Sequence, residues 1–272
     1  MTNAVEAHYD LFAQREWERL ERHRMEFAVT CRVLDEFLPP PPGRILDVGG
    51  GPGRYAIYLT WLHYQITLVD LSQASLDLAL AKATEAGVYL PPPLQANATT
   101  LPADFEGLFD AVLLMGPLYH LMALEDRLTA LREAYRVLRP GGLLFAAFIT
   151  RFAPLRDVAT HSPQWVLEHP RRYHRLLHDG QNPAREDSTF PDAYFAHPDE
   201  IAPLIAAAGF ELEAIQGCEG LLGGHEEAVN AVEGELWEAW VELNYVVGRD
   251  PSLRGAADHL LAVAAKPVPA LD

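Results

Sequence analysis

A glycine-rich loop directly after a short apolar run constrains this chain more than any other feature. Ile45, Leu46 and Val48 favour a β-strand, and four glycines follow within residues 49–53. Glycine is needed where a backbone comes close to another group, because a side chain would obstruct the approach. Residues 55–62 are predicted to form a helix, whose N-terminal amides face the same space. Strand, loop and helix together predict a nucleotide or cofactor cradle at the carboxyl end of a sheet strand.

The spacing of the glycines separates two kinds of cradle. A dinucleotide fingerprint that starts at Gly49 would need a sixth-position glycine where Arg54 stands. The chain instead has Asp47, Gly49, Gly51 and Gly53 at alternate positions. That pattern resembles the first motif of the class I S-adenosylmethionine (SAM) dependent methyltransferases. For the loop alone, the alternative is a tight turn that serves only to pack helix on strand.

The resemblance extends over residues 43–150 in order and spacing. An apolar run at 109–115 has no alternation, as expected of a strand buried on both faces. A predicted helix at 125–138 is followed by Arg-Pro-Gly-Gly and then by another apolar run at 143–149. The likeness implies an α/β, Rossmann-like fold with seven strands in the order 3-2-1-4-5-7-6, the last of them antiparallel.

Four segments are expected along the chain. Residues 1–42 form a helical N-terminal arm, with helix predicted over 4–37, which packs either as a lid on the cofactor mouth or simply against one sheet face. Residues 43–150 form the SAM-binding core. Residues 151–196 interrupt the α/β alternation after the fifth strand, where an insertion is placed to build a substrate lid. Residues 197–272 complete the same sheet domain. Helices are also predicted over 165–178, within the insertion, and over 226–247.

The SAM contacts implied by the resemblance lie at successive strand ends. Asp47 and the backbone of Gly49, Gly50, Gly51 and Gly53 would meet the methionine portion. Asp70, at the end of the second strand, would accept hydrogen bonds from the ribose hydroxyls, or else serve as a helix N-cap, a role that Ser72 also offers. The remaining contacts implied are Leu71 on the adenine face and Asn97 with the Ala98 amide at the adenine edge. Asn97 replaces the acidic residue common in the family, and it is equally suited to an Asx turn.

The loop after the fourth strand is where the family places residues beside the transferable methyl group. A carbonyl of Met115 or Gly116 is expected to accept from the methionine amine. Tyr119 is the candidate to line the approach path of the methyl, and His120 is the candidate general base. A structural histidine that bonds to backbone is the alternative for His120.

Candidates for the methyl acceptor's site come from the arm and the insertion. Tyr9 and Arg19 lie on the predicted arm helix and can reach the cofactor mouth. Arg151 and Tyr194 lie in the insertion and are predicted to line the acceptor pocket. The acceptor is expected to be a small molecule that presents an oxygen, nitrogen or carbon nucleophile.

Composition limits the partners. A formal charge of −17 argues against binding to the nucleic-acid backbone. No apolar stretch approaches the length of a membrane span, and the first ten residues lack a signal-peptide core. Two cysteines are too few for a disulfide framework or a four-ligand zinc site, so no metal is expected. A cytoplasmic location follows as the default, and the long terminal helices allow a homodimer.

Three functional hypotheses remain at this point. The first is an active SAM-dependent methyltransferase that acts on a small molecule by in-line displacement. The second is a protein that binds SAM or a SAM derivative without catalysis and acts through a partner. The third, a nicotinamide oxidoreductase, is disfavoured by Arg54 and by the lack of a Tyr-x-x-x-Lys pair.

Overall fold

Strands and helices alternate through the part of the chain that the computed structural model describes, residues 4–184, 190–223 and 225–269. The predicted arm, lid insertion and C-terminal segment each include a few residues outside these ranges. The helices are α1 (Ala4–Arg22), α2 (Arg24–Phe37), α3 (Arg54–Trp61), α4 (Gln73–Glu85), α5 (Leu124–Val137), α6 (Ala153–His161), α7 (Trp165–Glu168), α8 (Pro170–Asp179), α9 (Pro198–Ala207), α10 (Glu226–Asn230) and α11 (Gly234–Val247). The strands are β1 (Arg44–Val48), β2 (Gln65–Asp70), β3 (Leu94–Gln95), β4 (Phe109–Leu114), β5 (Leu138–Ile149), β6 (Gln181–Asn182), β7 (Ala193–Tyr194), β8 (Glu211–Gly217) and β9 (His259–Ala265).

Seven of these strands form one sheet in the order β3-β2-β1-β4-β5-β9-β8. The first five are parallel, and β9 runs antiparallel to both β5 and β8. The predicted strand order is therefore confirmed, with β8 and β9 in the places of strands six and seven. The short strands β6 and β7 pair separately within the insertion. Because β1, β2 and β4 are adjacent and parallel, their carboxyl ends meet at one edge, where the glycine loop emerges.

Helices cover both faces of the sheet and enclose two apolar cores. Side chains of α2, α3 and α4 pack on one face, around Leu34, Leu59 and Leu76. Those of α5 and α9 pack on the other, around Leu131 and Ile205. A third, smaller cluster joins α2 to α11. None of the described helices has both the length and the apolar character needed to cross a bilayer.

Three predicted helices are divided in the structure. The arm breaks between α1 and α2 at His23, whose backbone (φ −103°, ψ 59°) leaves the helical region. The helix predicted from Trp165 breaks before Pro170, because a residue that precedes proline is disfavoured in α conformation. The helix predicted over 226–247 splits into α10 and α11, and the Asn230 amide at the end of α10 donates to the carbonyl of Arg22 (2.6 Å). The break at His23 lets α1 diverge from α2 and pack against α4.

Candidate active site

The largest concentration of predicted site residues lies around one cavity at the carboxyl edge of β1, β2 and β4. Its empty volume is about 1110 Å³, part of it open to solvent. The predicted residues that line it are Tyr9, Arg19, Asp47, Gly49, Gly50, Gly51, Asp70, Leu71, Asn97, Ala98, Met115, Gly116, Tyr119 and His120. Strand ends, the glycine loop and the arm thus converge on one space.

The glycine loop needs its glycines for two different reasons. A Cβ on Gly49 would lie 2.5 Å from Cγ of Pro117, so the loop after β4 can approach only a glycine. Gly51 has φ +53°, and a Cβ there would meet no protein atom within 4 Å. Because Gly51 lines the cavity, that open space belongs to the cradle. Close packing fixes one side of the loop, and the other side stays free for a ligand.

Two carboxyl groups give this end of the cavity its electrostatic character. Asp70 accepts hydrogen bonds from the backbone N–H groups of Gly51 and Ser72, each at 2.8 Å. Asp47 is 1% exposed, and within the described residues its Oδ2 is buried without a hydrogen-bond partner. Burial, and secondarily the charge of Asp70, raises the pKa of Asp47 to about 7. The pair therefore favours a ligand that brings hydrogen-bond donors or positive charge.

The structure separates the alternatives that the sequence left open at β2 and β3. Ser72 caps α4 by accepting from the N–H of Ser75 (3.1 Å), so the capping role belongs to Ser72 and Asp70 faces the cavity. Asn97 forms an Asx turn, in which its Oδ1 accepts from the backbone and the hydroxyl of Thr99 at 3.0 and 2.9 Å. Asn97 nevertheless lines the cavity, and its amide NH2 group is not used by that turn.

The loop after β4 carries an aromatic and a histidine into the cavity. Tyr119 is partly buried, and its hydroxyl lies 3.4 Å from the carbonyl oxygen of Met115. Both ring nitrogens of His120 are engaged: Nδ1 lies 3.1 Å from the carbonyl of Asp192, and Nε2 lies 2.7 Å from the hydroxyl of Tyr9. Burial lowers the pKa of His120 to about 4, so the imidazole is neutral at pH 7.

Helix α1 closes the cavity from the side opposite the sheet. Asp10 accepts from the Ser72 hydroxyl at 2.7 Å and from the Ala74 N–H at 3.3 Å, which fastens the arm to the start of α4. Further along, the Arg54 guanidinium stacks 3.9 Å above the Trp17 ring and donates to the Trp17 carbonyl. These contacts hold α1 across the mouth between the glycine loop and β2.

Arg19 lines the cavity, and acidic side chains fix its guanidinium in place. Its guanidinium forks onto Glu26 (2.6 and 3.0 Å), and its Nε donates to Glu16 at 2.8 Å. Behind it, the Nδ1 of His259 lies 2.5 Å from Glu219 and 3.7 Å from Glu26. Burial opposes charge on His259, but the two glutamates outweigh it and raise its pKa to about 9. A buried ion network therefore fixes the position of Arg19.

Sequence reasoning missed several residues that line the cavity. Glu16 and Leu20 of α1 and Tyr55 of α3 all border it. The sequence could have identified Glu16 and Leu20 as lining residues, because residues 9, 16, 19 and 20 fall on one face of an ideal helix. No comparable signal marks Tyr55, which points inward only because of where α3 packs.

Three predicted site residues lie elsewhere. Gly53 does not line the cavity and instead begins the first turn of α3, where its carbonyl accepts from Ile57 (2.8 Å). Arg151 is 6% exposed and pairs with Glu200, which also accepts from the hydroxyl of Tyr194. Tyr194 borders a second cavity, between α5 and α9. Neither Arg151 nor Tyr194 lines the first cavity, and the polar groups of both are engaged with Glu200, so their acceptor roles stay predictions.

Comparisons with known proteins agree with the geometry. Residues 46–146 match the family model described as a methyltransferase domain. A ubiquinone biosynthesis O-methyltransferase of Xanthomonas axonopodis is 29% identical over 189 residues, which are 70% of this chain and 71% of that protein. One from Xanthomonas campestris is 28% identical over 177 residues, 65% of this chain and 66% of that protein.

Solved structures share the fold over nearly the whole chain. A SAM-dependent methyltransferase of Thermotoga maritima, described as a possible histamine N-methyltransferase, superposes with a TM-score of 0.63 at 22% identity, covering 96% of this chain and 99% of that one. A SAM-dependent methyltransferase of Methanosarcina mazei gives 0.57 at 19% identity, covering 87% and 98%. The sheet order, the glycine loop and the methyltransferase domain matched over residues 46–146 together indicate a class I SAM-dependent methyltransferase.

Proposed function

We propose that this enzyme transfers the methyl group of SAM to a hydroxyl oxygen of a small molecule, with His120 taking up the proton. The observation that carries the proposal is the single cavity that joins the glycine loop to Tyr9, Tyr119 and His120. The curated relatives are named as O-methyltransferases, which supports an oxygen acceptor over nitrogen or carbon. The formal charge of −17 supports a small molecule over a nucleic acid.

The residues around the cavity fit SAM. The open space at Gly51 gives the ligand room against the backbone. The buried Oδ2 of Asp47 can accept a hydrogen bond from a donor such as the methionine amine. Asp70 keeps lone pairs for ribose hydroxyls after accepting two backbone bonds. Asn97 and Ala98 border the same space and are assigned to the adenine edge. When bound, SAM supplies a methyl group activated by its sulfonium.

The protein then has three tasks that its own side chains can perform. It must align the acceptor with the methyl, exclude water, and remove one proton. Helix α1 covers the cavity and serves as the lid, fastened by Asp10 to the α4 N-terminus. Tyr119 forms part of the acceptor wall. His120, neutral at pH 7, supplies the proton acceptor.

Each of the four predicted segments has a role in this proposal. Residues 1–42 would be the moving lid, 43–150 the SAM-binding core and 197–272 the completion of the sheet. Residues 151–196 would touch the acceptor loop through the Asp192 carbonyl, which accepts from His120. A homodimer stays a prediction, and light scattering on the purified chain measures it.

An acceptor screen tests the proposed function. The chain is incubated with methyl-labelled SAM and a panel of phenols, catechols, amines and carbon acids, and formation of S-adenosylhomocysteine is followed. We expect turnover with hydroxyl acceptors and loss of at least about a hundredfold in His120→Gln. His161→Gln, which removes an exposed histidine on α6, is the matched control.

Calorimetry separates the other hypotheses. We expect binding of SAM and S-adenosylhomocysteine and none of NAD. Binding of SAM with no S-adenosylhomocysteine formed from any acceptor class would favour a non-catalytic SAM-binding protein. Turnover of amines alone would replace the oxygen acceptor with a nitrogen one.

A further inference from the structure

The hydrogen bonds of His120 define which of its nitrogens carries the proton. Nδ1 lies 3.1 Å from the backbone carbonyl of Asp192. A carbonyl oxygen can only accept, so Nδ1 must donate and bears the hydrogen. In a neutral imidazole the other nitrogen, Nε2, then holds the basic lone pair.

That lone pair already accepts a hydrogen bond within the protein. The hydroxyl of Tyr9 lies 2.7 Å from Nε2, and it must donate, since Nε2 has no hydrogen to give. Burial raises the pKa of Tyr9 well above its ordinary value, so the phenol keeps its proton at pH 7. With helix α1 docked, the basic nitrogen of His120 faces Tyr9 in place of the methyl acceptor.

The oxygen of Tyr9 is the group through which a methyl acceptor in the cavity can connect to Nε2 of His120. Tyr9 lines the cavity together with Gly116, Tyr119 and the glycine loop. After donating its one proton to His120, its oxygen still has lone pairs with which to accept. A hydroxyl acceptor in the cavity can therefore donate to Tyr9, and Tyr9 in turn donates to His120.

We propose that Tyr9 is a catalytic residue that relays the acceptor's proton to His120. The inference rests on the proposed function and assigns Tyr9 the contact with the reacting oxygen. The acceptor hydroxyl gives its proton to the Tyr9 oxygen while the Tyr9 proton moves to Nε2. The acceptor oxygen keeps the electron pair and bonds the methyl carbon, whose former bond leaves its pair on sulfur. The positive charge of the donor thus ends on the His120 imidazolium.

The relay depends on the arm. Tyr9 belongs to α1 and His120 to the loop after β4, so no hydrogen bond joins them unless α1 is docked. Asp10, the next residue, supplies the docking contact through Ser72 and Ala74. Closure of the lid and assembly of the proton path are therefore one event. An acceptor that enters before closure finds the relay through Tyr9 unassembled.

A double-variant comparison tests the relay. We expect Tyr9→Phe and His120→Gln each to lower the turnover of a hydroxyl acceptor by about a hundredfold to ten-thousandfold, and the double variant to lose no more than either alone. Losses that multiply would mean two independent roles and would overturn the relay. Tyr64→Phe, which removes a hydroxyl bonded to the Pro39 carbonyl outside the cavity, is the control and should keep full turnover.

An acceptor that is already deprotonated distinguishes a chemical role of Tyr9 from a structural one, because it needs no base. We expect Tyr9→Phe to recover to within about threefold of wild type on a phenol acidic enough to be ionised at the assay pH, because no proton then remains to relay. An equal loss on ionised and neutral acceptors would show that Tyr9 only shapes the cavity. Wild-type turnover by Tyr9→Phe on a neutral hydroxyl acceptor would refute the proposal outright.

Nitrogen NMR provides a readout that does not need turnover. With ¹⁵N-labelled histidine, we expect the Nδ1–H tautomer of His120 in the wild type and a shift of the Nε2 resonance in Tyr9→Phe. An Nε2–H tautomer in the wild type would overturn the relay even if methyl transfer is active. A wild type with the expected tautomer that methylates no acceptor would instead defeat the proposed function.

Discussion

Replacing Gly51 with alanine tests whether the glycine loop cradles a ligand or only makes a turn. Gly51 lines the cavity at φ +53°, and its added methyl would meet no protein atom within 4 Å. The left-handed conformation costs a non-glycine residue about 1–2 kcal/mol, of which about 0.4–1 kcal/mol is offset by the stiffer unfolded chain. We therefore expect a loss of about 1 kcal/mol and a melting temperature lower by about 2–4 °C.

The effect on SAM binding is expected to be larger than the effect on stability. A methyl group that intrudes on a packed ligand costs about 1–3 kcal/mol, which corresponds to a dissociation constant raised about fivefold to 150-fold. Gly87→Ala is the matched control: it has φ +71°, has nothing within 4 Å of its added Cβ, and lies outside the cavity. Calorimetry with SAM and thermal melts of both variants give the two quantities.

Two results would refute this reasoning. If Gly51→Ala binds SAM as tightly as the wild type, the open space beside Gly51 is not part of the ligand site. If Gly87→Ala loses as much affinity as Gly51→Ala, the loss comes from a general destabilisation of the domain. A variant that melts normally and binds weakly is the expected outcome.

Other residues of the site and its supports give further tests. Asp70→Asn should weaken SAM and adenosine equally, by about tenfold to a hundredfold, because it removes a charged acceptor of the ribose; a loss confined to SAM would contradict that assignment. Because the folded pKa of His259 is raised to about 9, its stabilisation is complete below about pH 6.5 and is lost as the pH rises through 9. Urea unfolding should show that decline in the wild type and a flatter profile in His259→Gln, and parallel profiles would disprove it. Asp10→Ala should speed tryptic cleavage within α1, and a rate equal to that of Asp77→Ala, a change on the exposed side of α4, would count against the docking role.

The sequence predicted the sheet and the strand-end residues because both follow from chain-local rules. Apolar runs mark β1, β4 and β5, and parallel strands must end at one edge, so Asp47, Asp70 and Met115 were expected near one another. The structure places all three on the cavity. Their roles toward SAM stay predictions until binding is measured.

Side-chain direction is what the sequence could not supply. Arg151 and Tyr194 occur just beyond β5 and in β7, close to the expected place, yet both turn toward Glu200. For Arg151, a salt bridge to Glu200 of α9, 49 residues along the chain, decides that orientation. The pairing of Tyr9 with His120 is equally hidden, because it depends on the break at His23 and on the kink at Phe12 within α1.

The placement of β9 also has a consequence for synthesis of the protein. The strand lies between β5 and β8 and pairs with both, while Leu260, Leu261 and Val263 are almost completely buried. During translation, the parallel half of the sheet emerges from the ribosome long before residues 259–265. Until that strand arrives, the edge of β5 is open and its apolar surface exposed, a state prone to pairing with other nascent chains. Strand β9 therefore completes the sheet last during synthesis. We expect the nascent chain to be most accessible to chaperones just before β9 is inserted.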